Sequence, residues 1–137
     1  LHPKTWRPAL ADGVEIISVR SLAFKRFLDI AIALNLDVSV VTDNDGKVDA
    51  LKKKYAEYAG KARVSLCYSE DETLKTLEPH LVNSNDRKFF ETALGKVFAD
   101  DAALLSHLEN NKADAALAIF ETPQVLIVPD YIRDAVR

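Results

Sequence analysis

A single cysteine, Cys67, excludes any internal disulfide and any cysteine metal cluster from this chain of 137 residues. Four glycines, with no GxxxxGKS or GxxxxGKT string among them, exclude a P-loop of the Walker type. No uninterrupted apolar run approaches the roughly 20 residues that a membrane helix needs, so no membrane partner is expected. The three histidines, His2, His80 and His107, share no ligand spacing, and a surface or capping role is expected for each. Charge of neither sign dominates: 18 basic and 21 acidic residues give a net charge of −3. That balance neither requires nor forbids a nucleic-acid partner, because a local basic patch can sit on a mildly acidic domain. The lone cysteine suits a reducing, cytoplasmic setting. Methionine is absent and Leu1 opens the chain, which suggests a piece excised from something longer.

What is present is enough for a folded domain. The sequence is 48% apolar and 28% charged, as in globular proteins. Residues 14–19, VEIISV, form a β-branched run of the kind that a strand covered on both faces requires. Ser21 is placed to cap a following helix in which Phe24, Phe27, Leu28, Ala31 and Ile32 recur at three- and four-residue steps, ending at Asn35. A second strand is predicted over 37–42, a helix over 48–59 stopped by Gly60, and a third strand over 63–69. The pattern is β-α-β-α-β, an α/β fold with parallel strands and right-handed crossovers. Beyond it lie an acidic segment over 69–82 that turns into a short helix with Leu74, Leu77 and Leu81 at helical spacing, helical stretches near 86–98 and 101–121, a VLIV segment that is an edge strand or merely extended, and a last helix from Pro129. In domain terms, 1–13 is a loop, 14–82 the α/β core and 83–137 a helical extension.

The chemistry concentrates in VVTDNDGK, residues 40–47. Asp43 and Asp45 fall at the carboxyl end of a predicted strand, where open α/β sheets bind ligands. In extended geometry residues two apart point the same way. Two carboxylates so placed repel unless a cation lies between them, and Mg²⁺ is commonly held by one or two carboxylates. A solvated turn rich in Asp, Asn and Gly is the plainer alternative. An EF-hand is excluded, because Val41 stands at its first position and Lys52 at its twelfth. A phosphatase of the haloacid dehalogenase type, with Asp43 as nucleophile, shares the apolar strand and DxDG, but there the motif normally lies on the first strand.

A broader likeness extends from about Gly13 onward. The segments ISVRSLAFKRFLDIAIALN, VSVVTDNDGK, YSEDETLKTLEPHLV, NNKADAALAIF and PDYIRDAV, in that order, resemble the carboxy-terminal Toprim region of the OLD (overcoming lysogenization defect) family of ATP-dependent endonucleases. The resemblance implies a Toprim-like parallel sheet and two-metal cleavage of DNA with Mg²⁺ or Mn²⁺. Asp43, Asp45 and Glu78, the last in the Thr76-Leu77-Glu78 element, would be metal ligands. Lys112, in the family's KxxxA helix segment, would steady the charge that develops during cleavage. Asp71 and Glu72 are weaker ligand candidates, better suited to helix capping. Partners implied are DNA, an ATPase domain of the parent chain and further copies in a homo-oligomer. Two features depart from the pattern. The V-E-G-x-x-E element expected before Gly13 is not found there, and Arg20-Ser21 occupies a turn where glycine is expected. The resemblance therefore implies an incomplete site, with weak activity or none in isolation. A non-catalytic interaction fragment is the remaining alternative.

Overall fold

The computed structural model describes residues 9–19 and 24–136. It divides into two compact units, 1–36 and 37–137. His2 and the Ser21 cap lie outside the described residues. Among the described residues, no helix is long and apolar enough to cross a membrane.

In the first unit, a 3₁₀ turn at Ala9–Asp12 precedes helix α1, Phe24–Ala33. The helix stops as its sequence predicts. Asn35 takes φ +57°, a left-handed conformation that asparagine tolerates better than most residues. Its N–H donates to the Ile32 carbonyl, and the Leu36 N–H to that of Ala31, the double closure of a Schellman motif.

The strand expected over 14–19 is not formed: these residues carry no regular structure. Ile16 is 84% exposed and Ile17 52%. A β-branched run supplies the propensity for a strand, but the strand itself exists only through pairing, and no described segment pairs with this one.

The second unit is α/β, with a two-stranded parallel sheet among the described residues instead of the three strands expected. Strand β1, Val38–Val41, pairs with β2, Val64–Cys67, in the register Val38–Val64 to Val41–Cys67. The connection is α2, Val48–Lys54, followed by a 3₁₀ turn at Ala56–Tyr58. The predicted helix over 48–59 is thus split. Tyr55 and Tyr58, both buried, lie in and beside the tightened turn, and Gly60 follows with φ +76°.

Five further helices follow: α3 Leu77–Ser84, α4 Arg87–Leu94, α5 Asp101–Asn110, α6 Lys112–Glu121 and α7 Asp130–Ala135. The helix expected over 101–121 breaks at Asn111, whose side chain turns back to donate to the His107 carbonyl at 2.9 Å. The VLIV segment forms no strand. Asn85 ties it instead: its side chain accepts from the Ile127 N–H at 2.8 Å and donates to the Ile127 carbonyl at 3.0 Å.

The helical core is built from Phe89, Phe90, Phe98, Leu104, Leu108 and Ala115, flanked by Leu81, Val82, Leu94, Ile119 and Leu126. Asp100 caps α5 by accepting the Ala103 N–H at 2.7 Å. Helix α7 returns to pack on both strands, which brings the end of the chain to the edge of the carboxylate-bearing loop.

Candidate functional site

β1 ends by delivering Thr42, whose N–H still reaches the Cys67 carbonyl at 3.2 Å. The chain then turns. Asp45 has φ +51° and Gly46 φ +69°, so two successive left-handed residues swing the backbone toward α2. The alternation rule for extended chain consequently does not apply to Asp43 and Asp45, and they are not a matched pair on one strand face. A Cβ on Gly46 would also meet the Lys75 side chain at 3.1 Å.

Between the two aspartates Asn44 is buried, 3% exposed. Its side-chain oxygen accepts the Gly46 N–H at 2.7 Å. Its amide nitrogen donates to the carbonyls of Ser69 at 2.9 Å and Asp71 at 2.8 Å. The Asp45 N–H donates to the Lys75 carbonyl at 3.1 Å. Glu72 caps α2 by accepting the Val48 N–H at 2.8 Å, satisfying a helix-terminal donor that would otherwise lack a partner. Asp71 Oδ1 accepts both the N–H and the hydroxyl of Thr73, at 2.8 and 2.6 Å. The loop after β1 is thereby stitched to residues 69–75, and Asp71 and Glu72 serve the backbone.

Glu78 lies in the first turn of α3, where a carboxylate complements the helix dipole. Its side chain is only 14% exposed, and Oε1 lies 2.7 Å from the ammonium of Lys112, the first residue of α6. Oε2 is buried without a hydrogen-bond partner. Burial pushes this carboxyl upward, but bonding led by Lys112 outweighs it and holds the group below its ordinary value. The same contact raises Lys112.

Asp43, though its surface is open to solvent, is pushed up, first by partial desolvation and then by the carboxylates of Glu78 and Asp45. Lys112 and His80 offset part of this. Tyr131, in α7, is pushed up to about 12 by burial and by the charges of Asp43 and Glu78. Residues far apart in sequence are therefore electrostatic neighbours: Asp43 after β1, Glu78 on α3, Lys112 on α6 and Tyr131 on α7.

His80 and Tyr131 were not singled out by sequence reasoning as parts of this site. His80 is no surface residue: it is 8% exposed, its ring 5.2 Å from that of Tyr131. Its spacing from Leu77 and Leu81 on α3 carried a faint signal of an inward face. Two further basic residues are engaged elsewhere: Arg87 pairs with Asp101 at 2.7 Å, and Lys96 lies 5.4 Å over the Phe98 ring. Cys67 is half-buried.

An orphaned carboxylate oxygen on Glu78 and a repelled carboxyl on Asp43 are both what a bound cation relieves, so these two side chains fit a divalent ion. Among the described residues, no three His, Cys, Asp or Glu side chains are gathered closely enough to hold a metal. Asp43, Asp45 and Glu78 do not form a ready-made cage.

Compared with known proteins, the chain matches no family model, no curated protein and no solved structure.

Proposed function

We propose that this chain is the Toprim-like nuclease region of an OLD-type, ATP-dependent DNA endonuclease, working in the cytoplasm with the ATPase domain of its parent chain. The observation that carries the reading is the convergence of Asp43, Glu78 and Lys112. These are three of the four residues to which the resemblance assigns the chemistry: Glu78 and Lys112 are paired at 2.7 Å, and Asp43 feels the charge of both.

In this reading Asp43 and Glu78 hold a divalent cation, with Asp45 beside them. A bound Mg²⁺ or Mn²⁺ would activate water and offset charge on the phosphoryl group. Lys112 would then be freed from Glu78, and its ammonium, mostly exposed, would turn toward the phosphodiester. There it would stabilise charge that builds on the oxygens as the bond breaks. His80 and Tyr131, both buried, lie within electrostatic reach of Asp43.

The test is nicking of supercoiled DNA by the chain in excess over DNA, with Mn²⁺ present and with EDTA. The reading expects slow, Mn²⁺-dependent nicking that Asp43→Asn and Lys112→Ala abolish while folding is retained. Nicking unaffected by these substitutions, or none at all from the folded chain joined to its ATPase domain, overturns it. A phosphoryl group trapped on Asp43 during aryl-phosphate turnover would point to the phosphatase chemistry instead.

A further inference from the structure

The sequence contains two Asp–Gly peptide bonds, Asp12–Gly13 and Asp45–Gly46. An aspartate followed by glycine is open to a reaction of its own. The glycine nitrogen gives up its proton and attacks the side-chain carboxyl carbon, and one carboxyl oxygen leaves as water. The product is a cyclic succinimide, which water reopens at either of its carbonyls. Opening at one restores aspartate. Opening at the other leaves isoaspartate, in which the main chain runs through the former side-chain carbon. Glycine favours the reaction because no Cβ shields its nitrogen.

Asp45 meets the first requirements: its side chain is exposed and Gly46 follows it. The reacting nitrogen, however, is held. The Gly46 N–H donates to Asn44 Oδ1 at 2.7 Å, shorter than the usual amide hydrogen bond. An acceptor so close opposes loss of the proton, because an anionic nitrogen would face a partly negative oxygen. Asn44 is itself fixed, 3% exposed and donating to the carbonyls of Ser69 and Asp71. On either side the Asp45 N–H is tied to the Lys75 carbonyl at 3.1 Å, and the Lys47 N–H to that of Asn44 at 2.8 Å. Asp12–Gly13 differs. It closes a single 3₁₀ turn, in which the Gly13 N–H donates to the Leu10 carbonyl at 3.1 Å.

We propose that Asp45 is a latent modification site, isomerising to isoaspartate through the succinimide whenever the loop after β1 comes away from residues 69–75, and that Asn44 guards it in the folded chain. The guard works through the hydrogen bond to the Gly46 nitrogen, and the bonds to Ser69 and Asp71 hold the guard in place. Isomerisation is self-locking. The extra main-chain methylene between residues 45 and 46 shifts the Gly46 N–H relative to Asn44 and moves the carboxylate from its former position. The inference stands whether or not the proposed nuclease chemistry is present.

The test is incubation of the full chain, folded and in urea, followed by peptide mapping with electron-transfer fragmentation, which separates isoaspartate from aspartate at residue 45. Isoaspartate is expected to accumulate in urea, and about tenfold or more slowly in the folded chain, because opening must break several hydrogen bonds together. Asn44→Ala, checked for folding, should move the folded rate toward the rate in urea. Should that variant fail to fold, the comparison of the parent chain with and without urea decides alone. Equal rates in the two conditions overturn the proposal, as does an absence of isoaspartate at residue 45 in urea. A folded Asn44→Ala chain that isomerises no faster than its parent also overturns it, and removes the guarding role from Asn44.

Discussion

Lys112 and Glu78 meet at 2.7 Å with opposite solvation: the lysine side chain is 62% exposed and the glutamate 14%. An ion pair so divided is held together from its buried end. Lys112→Ala leaves the Glu78 carboxylate enclosed and unmatched. The loss is about 1 kcal/mol, below the range for fully buried pairs because water screens the ammonium. The depressed Glu78 carboxyl stabilises the fold above its ordinary value of 4.5, and that contribution fades as pH falls through its folded value. The deficit of Lys112→Ala in urea denaturation at pH 7 should therefore shrink as the pH falls below 4.5.

Asp43 behaves in the opposite sense. Its carboxyl is raised in the folded chain, so the folded state binds the proton more tightly, and stability falls as pH rises through that raised value. Asp43→Asn should stabilise the fold at pH 7, and the gain should vanish once the pH is brought well below 3.8, the ordinary value for this group. Denaturation midpoints at the two pH values check this. A gain that persists in acid would show that charge is not its source.

Asn44→Ala removes the donor shared by the Ser69 and Asp71 carbonyls and the acceptor for the Gly46 N–H. With groups left buried and unsatisfied, a loss of about 2–4 kcal/mol is expected. Asn44→Asp should be worse at pH 7, because it sets a carboxylate against two carbonyl oxygens, and should recover partly in acid. Thermal unfolding of both variants from pH 4 to pH 7 distinguishes the two effects.

Gly46 and Gly60 separate backbone strain from crowding. Both have positive φ, but only at Gly46 does an added Cβ meet another side chain, the flexible stem of Lys75. Alanine at either position should lose about 1–2 kcal/mol to the left-handed backbone. Because Lys75 can move, the two losses should agree closely. A much larger loss at Gly46, rescued by Lys75→Ala, would show that the stem is pinned.

Phe90, fully enclosed in the helical core and edge-on to Phe89 at 5.1 Å, should lose about 3–5 kcal/mol on truncation to alanine. Urea denaturation read by far-UV circular dichroism measures it. Coincident loss of the sheet and helices of residues 37–137 would identify that unit as one cooperative body.

The local elements of residues 37–137 were legible because they depend on neighbours in sequence. The apolar runs that became β1 and β2, the capping Asp100, and the proline that opens α7 each carry their signal within a few residues. The run at 14–19 carried an equally good signal, yet a strand needs an edge to pair with, and propensity cannot report whether one is present. The site shows the same division. Asp43 and Asp45 stood out because carboxylate spacing is a chemical pattern. Asn44 did not, since an asparagine in DNDG looks like any turn residue and its role depends on carbonyls 25 and 27 positions away. His80 and Tyr131 become neighbours only once α7 folds back onto the strands.

The amide of Asn44 makes one lever of two loops. The segment carrying Asp43 and the segment carrying Asp71 share the same hydrogen bonds, so a displacement of either is felt by the other. Ligands bound at the two segments would be energetically linked, and linkage is reciprocal. Whatever factor one ligand imposes on the affinity of the second, the second must return, and loosening Asn44 should bring that factor toward unity.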